Sequence, residues 1–255
     1  MSENTPSVLV TGGAKRVGAA IARAFGEAGW HVVIHYNSSG EEAEALADEL
    51  PSAETCQADL CDSDQITAMV TTLAARLGNW RALVNCASVF KPDDVTELDR
   101  DTNRRAMQVN ARAPALLAQA YLAKARAGSG RRVIQVTDQK LANPNPDFFS
   151  YTMSKHALDS TIAMLSMGAC EEKDRVYGLA PGAILPSHDQ SEEEAEISHR
   201  MNLLGRRTEA GEIADAALFL AGGALASGQT LYVDSGQHLL RQERDVIYLT
   251  RQATA

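Results

Sequence analysis

Residues 8–39, VLVTGGAKRVGAAIARAFGEAGWHVVIHYNSS, run from an apolar β-branched stretch through a glycine turn into an Ala-rich helical pattern, then back into a second apolar stretch. A strand, a helix and a strand joined by such short turns close as a right-handed crossover between parallel neighbours. The alternation then repeats. SVLVTGG, HVVIHY, ETCQADL, RALVNCA, RRVIQVTD, RVYGLA and QTLYVD read as seven strands. AAIARAFGEAG, DQITAMVTTLAARLG and RRAMQVNARAPALLAQAYLAKARA carry helical periodicity between them. Short, almost wholly apolar strands need cover on both faces, which predicts a parallel sheet between two helical layers. No Pro/Gly/Ser-rich linker interrupts the 255 residues, and 45% hydrophobic content suffices for one large core. The expected fold is one doubly wound α/β domain over 1–255, with a seven-stranded parallel sheet and helices on both faces.

The formal net charge of −9 argues against a broad nucleic-acid-binding face. A small basic pocket remains compatible with it, because a phosphate needs only a few local donors. The opening MSENTPSVLV has neither a basic flank nor a long apolar run, so a cytoplasmic protein without a membrane span is expected. Cys56, Cys61, Cys86 and Cys170 lack the spacing of a metal site or a disulfide framework, and free thiols are expected.

Gly12 and Gly13 permit a tight turn after the first strand, and Gly18 lets the helix pack closely on the sheet. Amides at such a helix N-terminus receive phosphate oxygens, although the same turn can also exist without a ligand. The second strand ends in Tyr36, Asn37, Ser38 and Ser39 with no carboxylate. A carboxylate there would accept bonds from the ribose hydroxyls of NAD and repel a 2′-phosphate. Donors in its place, with Lys15 and Arg16 in the glycine turn, favour NADP(H). Val17 and Tyr36 belong to the same expected cofactor surface; His35 is assigned no catalytic role.

Tyr151 and Lys155 stand four apart on a predicted helix, so their side chains share one face. A tyrosine ordinarily titrates near 10, and a neighbouring ammonium is expected to lower that value toward useful proton exchange. Tyr-x-x-x-Lys alone is a common coincidence. It gains meaning beside the glycine turn, the NCAS stretch at 85–88, Asn110 in NARAP, and Pro181-Gly182. Thirteen residues before Tyr151 stands an acid, Asp138.

On these motifs, residues 8–236 resemble the short-chain dehydrogenase/reductase family. The resemblance implies a single Rossmann-type domain, hydride transfer from NAD(P)H and an Asn–Ser–Tyr–Lys catalytic group, which maps onto Asn110, Tyr151 and Lys155. Asp138 occupies the place of the usual serine. It also implies adenine contacts from Asp59 and Leu60, adenosine-ribose contacts from Asn85 to Ala87, and a Pro181-Gly182 turn beside the nicotinamide. Three departures narrow it. Arg16 stands where most relatives have glycine, NCASVF replaces the commoner Asn-Asn-Ala-Gly, and Asp–Tyr–Lys replaces Ser–Tyr–Lys. All three look like pteridine reductases, and DSGQHL at 234–239 is similar to a segment of bacterial dihydromonapterin reductases. That branch implies that Arg16 contacts cofactor phosphate and pterin, that Phe90 stacks on the pterin, and that Ser88 lies near both. It further implies a homotetramer.

The chemistry suits the resemblance. Reducing an imine-type C=N bond delivers hydride to carbon and a proton to nitrogen, and a carboxyl beside Tyr151 can share that proton or accept from a ring N–H. The expected substrate is a pterin, namely dihydromonapterin, dihydrobiopterin or dihydrofolate. The competing expectations are a carbonyl or 3-oxoacyl reductase, and a dinucleotide sensor without catalysis. Phe90 can also be a simple pocket hydrophobe, and Asp138 a strand-end turn residue. Residues 184–208 form a polar excursion placed to act as a lid. The apolar tail at 237–255 is expected to pack on a neighbouring subunit and close its site.

Overall fold

The computed structural model describes residues 5–186 and 190–254. Among them seven strands form one parallel sheet: β1 (Ser7–Thr11), β2 (His31–Tyr36), β3 (Ala53–Gln57), β4 (Trp80–Asn85), β5 (Arg132–Val136), β6 (Arg175–Pro181) and β7 (Thr230–Val233). The spatial order is β3-β2-β1-β4-β5-β6-β7, the doubly wound topology read from the alternation.

Alternate residues of each strand face opposite layers. Val8, Val10, Val32 and Ile34 pack under α1 (Arg16–Glu27), α2 (Gly40–Glu49) and α8 (Ala210–Gly222). Leu9, Val33, Leu83 and Val133 pack on α3 (Ser63–Arg76), α5 (Ala113–Lys124) and α6 (Phe149–Gly168). Ile21, Phe25, Leu73 and Tyr121 are almost wholly buried in these layers. Each large apolar side chain so buried stabilises the fold by about 1.5–3 kcal/mol.

The helix expected over 104–127 is not continuous. It divides into α4 (Arg100–Ala106), a π-helical segment (Met107–Arg112) and α5. Pro114 has no N–H to return to the carbonyl of Asn110, so an unbroken α-ladder cannot pass through this stretch.

The strand order reverses between β1 and β4, and there the sheet's C-terminal edge opens into a cleft. Within 184–208, residues 187–189 lie outside the described residues; the remainder includes α7 (Glu192–Ser198), opened by a capping box between Ser191 and Glu194. The tail ends in α9 (Val246–Thr254). Instead of reaching away, α9 packs on α7 of its own chain, with Arg251 Nε 2.9 Å from Glu194 Oε1. Asp245, Val246 and Ile247 line the cleft of the chain that carries them. No helix among the described residues is long and apolar enough to cross a membrane.

Candidate active site

The cleft, of about 570 Å³, is walled on one side by the turns that follow β1, β2 and β3. Gly12 sits at φ +63°, and a Cβ there would come within 2.9 Å of the Ala87 backbone. Only glycine serves both demands. Gly18 is required for a different reason than packing on the sheet, since its Cβ would overlap the carbonyl of Gly12. Arg16 adopts φ +55°, a conformation costly for a side chain with a Cβ, and its Nη2 donates to the carbonyl of Pro186 at 3.0 Å. It thereby spans from the glycine turn to the edge of the 184–208 excursion. Lys15 is engaged by Glu42 at 2.6 Å, on the surface at the start of α2.

His35 braces this half. Its Nδ1 accepts from the Gly12 amide at 3.1 Å, which fixes the proton on Nε2, donated to Ala58 O at 3.1 Å. The same residue's carbonyl accepts from Gly13 N. One buried imidazole therefore joins the glycine turn, the end of β2 and the segment leading to Asp59 and Leu60. Burial lowers its pKa to about 4, so it is neutral near pH 7.

Gly12, Lys15, Arg16, Val17, Asn37, Asp59, Leu60, Ala87 and Ser88 all line the cleft. Tyr36, Ser38 and Ser39 do not: Tyr36 packs beneath Gly40, and the two serines lead into α2. Asn85 lies deeper. Its amide is buried below the floor, donating to Pro114 O at 3.3 Å and Gln135 Oε1 at 2.9 Å. Thr11 holds the floor itself, accepting from the amides of Cys86 and Ala87.

Asn110, expected in the catalytic group, spends its side chain on hydrogen bonds within the protein. Its Oδ1 accepts from Val89 N at 2.8 Å and Ser88 Oγ at 3.2 Å, and its Nδ2 donates to Val89 O and Ser154 Oγ. The side chain bonds neither Tyr151 nor Lys155. It clamps the loop that delivers Ser88 and Phe90.

Beyond β5 the chemical groups converge. Tyr151 Oη donates to Asp138 Oδ2 at 2.6 Å, while Asp138 Oδ1 accepts from Lys140 N at 2.8 Å. Asp138 thus caps a short helical turn with one oxygen and holds the phenol with the other. Lys155 Nζ donates to Val136 O at 2.7 Å and lies 5.7 Å from the Tyr151 ring centroid. Burial raises the Asp138 pKa, opposed by the Tyr151 hydrogen bond, and lowers that of Lys155. Tyr151 is pushed up, by burial and then by the Asp138 carboxylate. The expected lowering of the tyrosine by the lysine gives way here to burial first, and then to the directly bonded Asp138 carboxylate. Tyr151 is held as a protonated donor.

The far wall comes from distant segments. Phe90 stacks on Phe148, centroids 4.1 Å apart and planes at 20°, and meets Tyr151 edge-on at 4.7 Å. Phe148 is itself held at φ +54° where α6 begins. The tail is pinned across this wall: Arg244 grips the Asp147 carboxylate with Nε and Nη2 at 2.8–3.0 Å, and Asp245 Oδ2 pairs with Lys140 Nζ at 3.1 Å. Pro181 and Gly182 line the cleft between the two halves. Gln237 Oε1 accepts from Ala183 N at 2.9 Å and so fixes that turn.

Sequence reasoning passed over His35, Lys140, Phe148, Gln237 and Asp245. His35 had a signal, as a polar residue near the end of a largely apolar strand that follows the glycine-turn helix. Gln237 lay inside the DSGQHL motif. Lys140 and Asp245 had none, being 105 residues apart.

A family model described as enoyl-(acyl carrier protein) reductase matches residues 12–238. Pteridine reductase 1 of Leishmania tarentolae is 28% identical, over 94% of this chain and 99% of its own. The 7α-hydroxysteroid dehydrogenase of Escherichia coli K12 is 30% identical, over 89% and 92%. Among solved structures, FolM alternative dihydrofolate reductase 1 from Brucella suis, in complex with NADP, superposes with a TM-score of 0.87 at 35% identity, covering 95% of this chain and 98% of that one. With a glycine-turn cleft at the sheet's switch point, Tyr151 and Lys155 on one helix face, and a family match over nearly the whole length, the chain belongs to the short-chain dehydrogenase/reductase family of oxidoreductases.

Proposed function

We propose that this protein is an NADPH-dependent reductase of a dihydropterin. The observation that carries the reading is the buried Tyr151–Asp138 hydrogen bond of 2.6 Å, with a carboxyl at the position where the family's usual pattern has a serine. A ketone oxygen needs hydroxyl donors alone. A ring C=N flanked by N–H groups gains from a donor and an acceptor side by side, which is what Tyr151 and Asp138 present.

The cleft suits a phosphorylated dinucleotide. Gly12 leaves room for close backbone approach, Arg16 and Lys15 bring cations, and Asn37 ends β2 without a carboxylate. Those residues, with Val17, Asp59, Leu60, Ala87 and the Pro181-Gly182 turn, would hold NADPH. When bound it supplies the hydride. Tyr151 gives its phenolic proton to the substrate nitrogen, and Asp138 orients the phenol and accepts from a ring N–H. Lys155, buried and tied to Val136 O, supplies the positive charge that steadies Tyr151 after its proton leaves. Phe90 offers a flat face to the ring. The homology to a pteridine reductase and to an alternative dihydrofolate reductase supports this reading.

The match to a hydroxysteroid dehydrogenase at similar identity favours a second reading, reduction of a carbonyl. NADPH oxidation measured across 7,8-dihydropterins, dihydrofolate and simple ketones separates the two. Turnover of dihydropterins above ketones is expected; ketone turnover alone overturns the pterin reading.

A further inference from the structure

The excursion over the cleft carries a buried polar group that nothing in the protein satisfies. His199 closes the C-terminal end of α7, where its amide donates to Ala195 O at 2.9 Å and its carbonyl accepts from Asn202 Nδ2 at 2.8 Å. The residue is 2% exposed and lines the cleft. Its ring Nδ1 is closed off from solvent and has no hydrogen-bond partner among the described residues. Arg81 Nε, Asn85 Oδ1, Arg132 Nε and Arg207 Nε are orphaned in the same way. Each of those belongs to a side chain that bonds through another atom, and none of the four residues lines the cleft.

An orphaned buried nitrogen destabilises the protein that carries it, and an apolar side chain of similar size would not. The polar atom therefore calls for a partner that arrives from the cleft. Its neighbours leave that partner to His199. Ile184 and Leu185 are apolar, Gln190 Nε2 donates to Ser198 Oγ at 3.2 Å, and Ser198 Oγ donates to Ala195 O at 3.1 Å. We infer that His199 is a substrate-binding residue of the lid, its Nδ1 accepting a hydrogen bond from an N–H or O–H of the bound substrate. The inference rests on the dihydropterin reading, since a dihydropterin carries such donors and a simple ketone carries none.

Accepting that bond requires a neutral imidazole. Burial, and then the charge of Arg207, hold the His199 pKa below its ordinary value, against the carboxylates of Glu196 and Glu209. Glu196 is itself engaged by Arg200 and Arg207, Glu209 Oε1 lies 3.9 Å from Arg207 Nε, and on α9 Arg251 is engaged by Glu194. The ring is neutral near pH 7 and able to accept.

The test is steady-state kinetics of His199→Leu and His199→Asn with a 7,8-dihydropterin, between about pH 7.5 and 5, across the ordinary imidazole range. Leucine removes the acceptor at similar volume. At the upper pH it should raise KM about 3- to 10-fold, the range for one hydrogen bond, with kcat little changed. NADPH affinity, followed by its fluorescence, should match the parent, and the melting temperature should be equal or higher because an orphaned atom is gone. Asparagine places an amide oxygen near the Nδ1 position and should recover most of the lost affinity. It does not protonate, so the rise in KM that the parent shows on acidification should be missing from this variant. Any titration of Asp138 is common to both and cancels in the comparison. A parent-like KM in His199→Leu overturns the inference, as does an asparagine variant as impaired as the leucine one. Parallel KM–pH profiles of the parent and His199→Asn overturn it too, and that comparison stands even if leucine disturbs the lid. Failure of the pterin reading looks different: the parent then turns over no dihydropterin at any pH, and both ideas fall.

Discussion

The two halves of the cleft are built on different principles. The cofactor half is made by chain neighbours: each wall is the turn directly after a strand, held by backbone and by His35. The substrate half is assembled from residues far apart in the chain, through the Phe90–Phe148 stack, the Arg244–Asp147 grip and the Asp245–Lys140 pair. On the proposed reading, the sheet alone thus positions the dinucleotide. Specificity is carried by loops and a tail that can change while the sheet stays fixed. Substitutions in the first half should act on cofactor affinity or on the fold, and in the second on the substrate.

The largest effect is expected where the halves meet. Tyr151→Phe removes the proton donor and should lower kcat by roughly 10²–10⁴-fold, with NADPH affinity almost unchanged. Asp138→Ala should fall short of that loss, because Tyr151 can still donate. Asp138→Ser is more discriminating, since it restores the residue most relatives use on ketones. It should lose dihydropterin turnover and gain ketone reduction. Steady-state kinetics with both substrate classes decide the point; parent-like dihydropterin rates in both Asp138 variants would reduce that residue to the cap of its helical turn.

The cofactor half can be broken through the fold. Buried His35 titrates at about 4 in the folded chain against an ordinary value near 6.5. Between those values the unfolded chain binds a proton that the native one refuses, so stability falls as pH drops from about 6.5 to about 4. The loss then levels off once the native imidazole also protonates. The gap corresponds to about 3 kcal/mol. Urea unfolding from pH 7 to pH 4 should show this decline in the parent and a much flatter profile in His35→Asn. A parallel pair of profiles would remove His35 as the brace.

Much of the first half was legible in the sequence, for a physical reason. The seven strands follow from apolar, β-branched runs. The glycine turn follows from backbone demands that few residues meet, and the Tyr151–Lys155 pair from helical spacing. What escaped was geometry that spacing does not encode. Asn110 lies in the expected segment, yet the π-helical turn and the needs of the Ser88–Val89 backbone direct its amide elsewhere. Tyr151 and Lys155 share a face, but Lys155 spends a hydrogen bond on Val136 O. The tail's apolar content was visible and its destination was not, because ion pairs such as Asp245–Lys140 leave no periodic trace.

A smaller effect should come from the end of β2. Asn37→Asp places a carboxylate on the cleft where the 2′-phosphate of NADPH is proposed to sit. The preference for NADPH over NADH should fall roughly tenfold, from like-charge repulsion partly screened by solvent. Comparison of kcat/KM for the two cofactors measures it. Equal use of NADH by the unmodified protein would sink the assignment of this corner to a phosphate.

The smallest expected effect refines the same corner. Lys15 is held by Glu42 at 2.6 Å, with both side chains about half exposed. The bond from Lys15 holds the Glu42 carboxyl below its usual range, so Glu42 is a carboxylate near pH 7. Exposed pairs of this kind contribute little to stability. Here the pairing has a second consequence: Glu42 competes with the proposed 2′-phosphate for Lys15. Glu42→Gln frees Lys15 while preserving the side chain's length. NADPH should bind about two- to fivefold more tightly, NADH affinity should not change, and thermal stability should stay within error of the parent. The gain should also shrink as salt is raised, since surface charges are screened within about 8–10 Å at moderate ionic strength. Titration of both cofactors at low and high salt reads all of this in one experiment. Unchanged NADPH affinity at low salt would mean that Lys15 points away from the phosphate even when free, leaving Arg16 as the cation of the cofactor half.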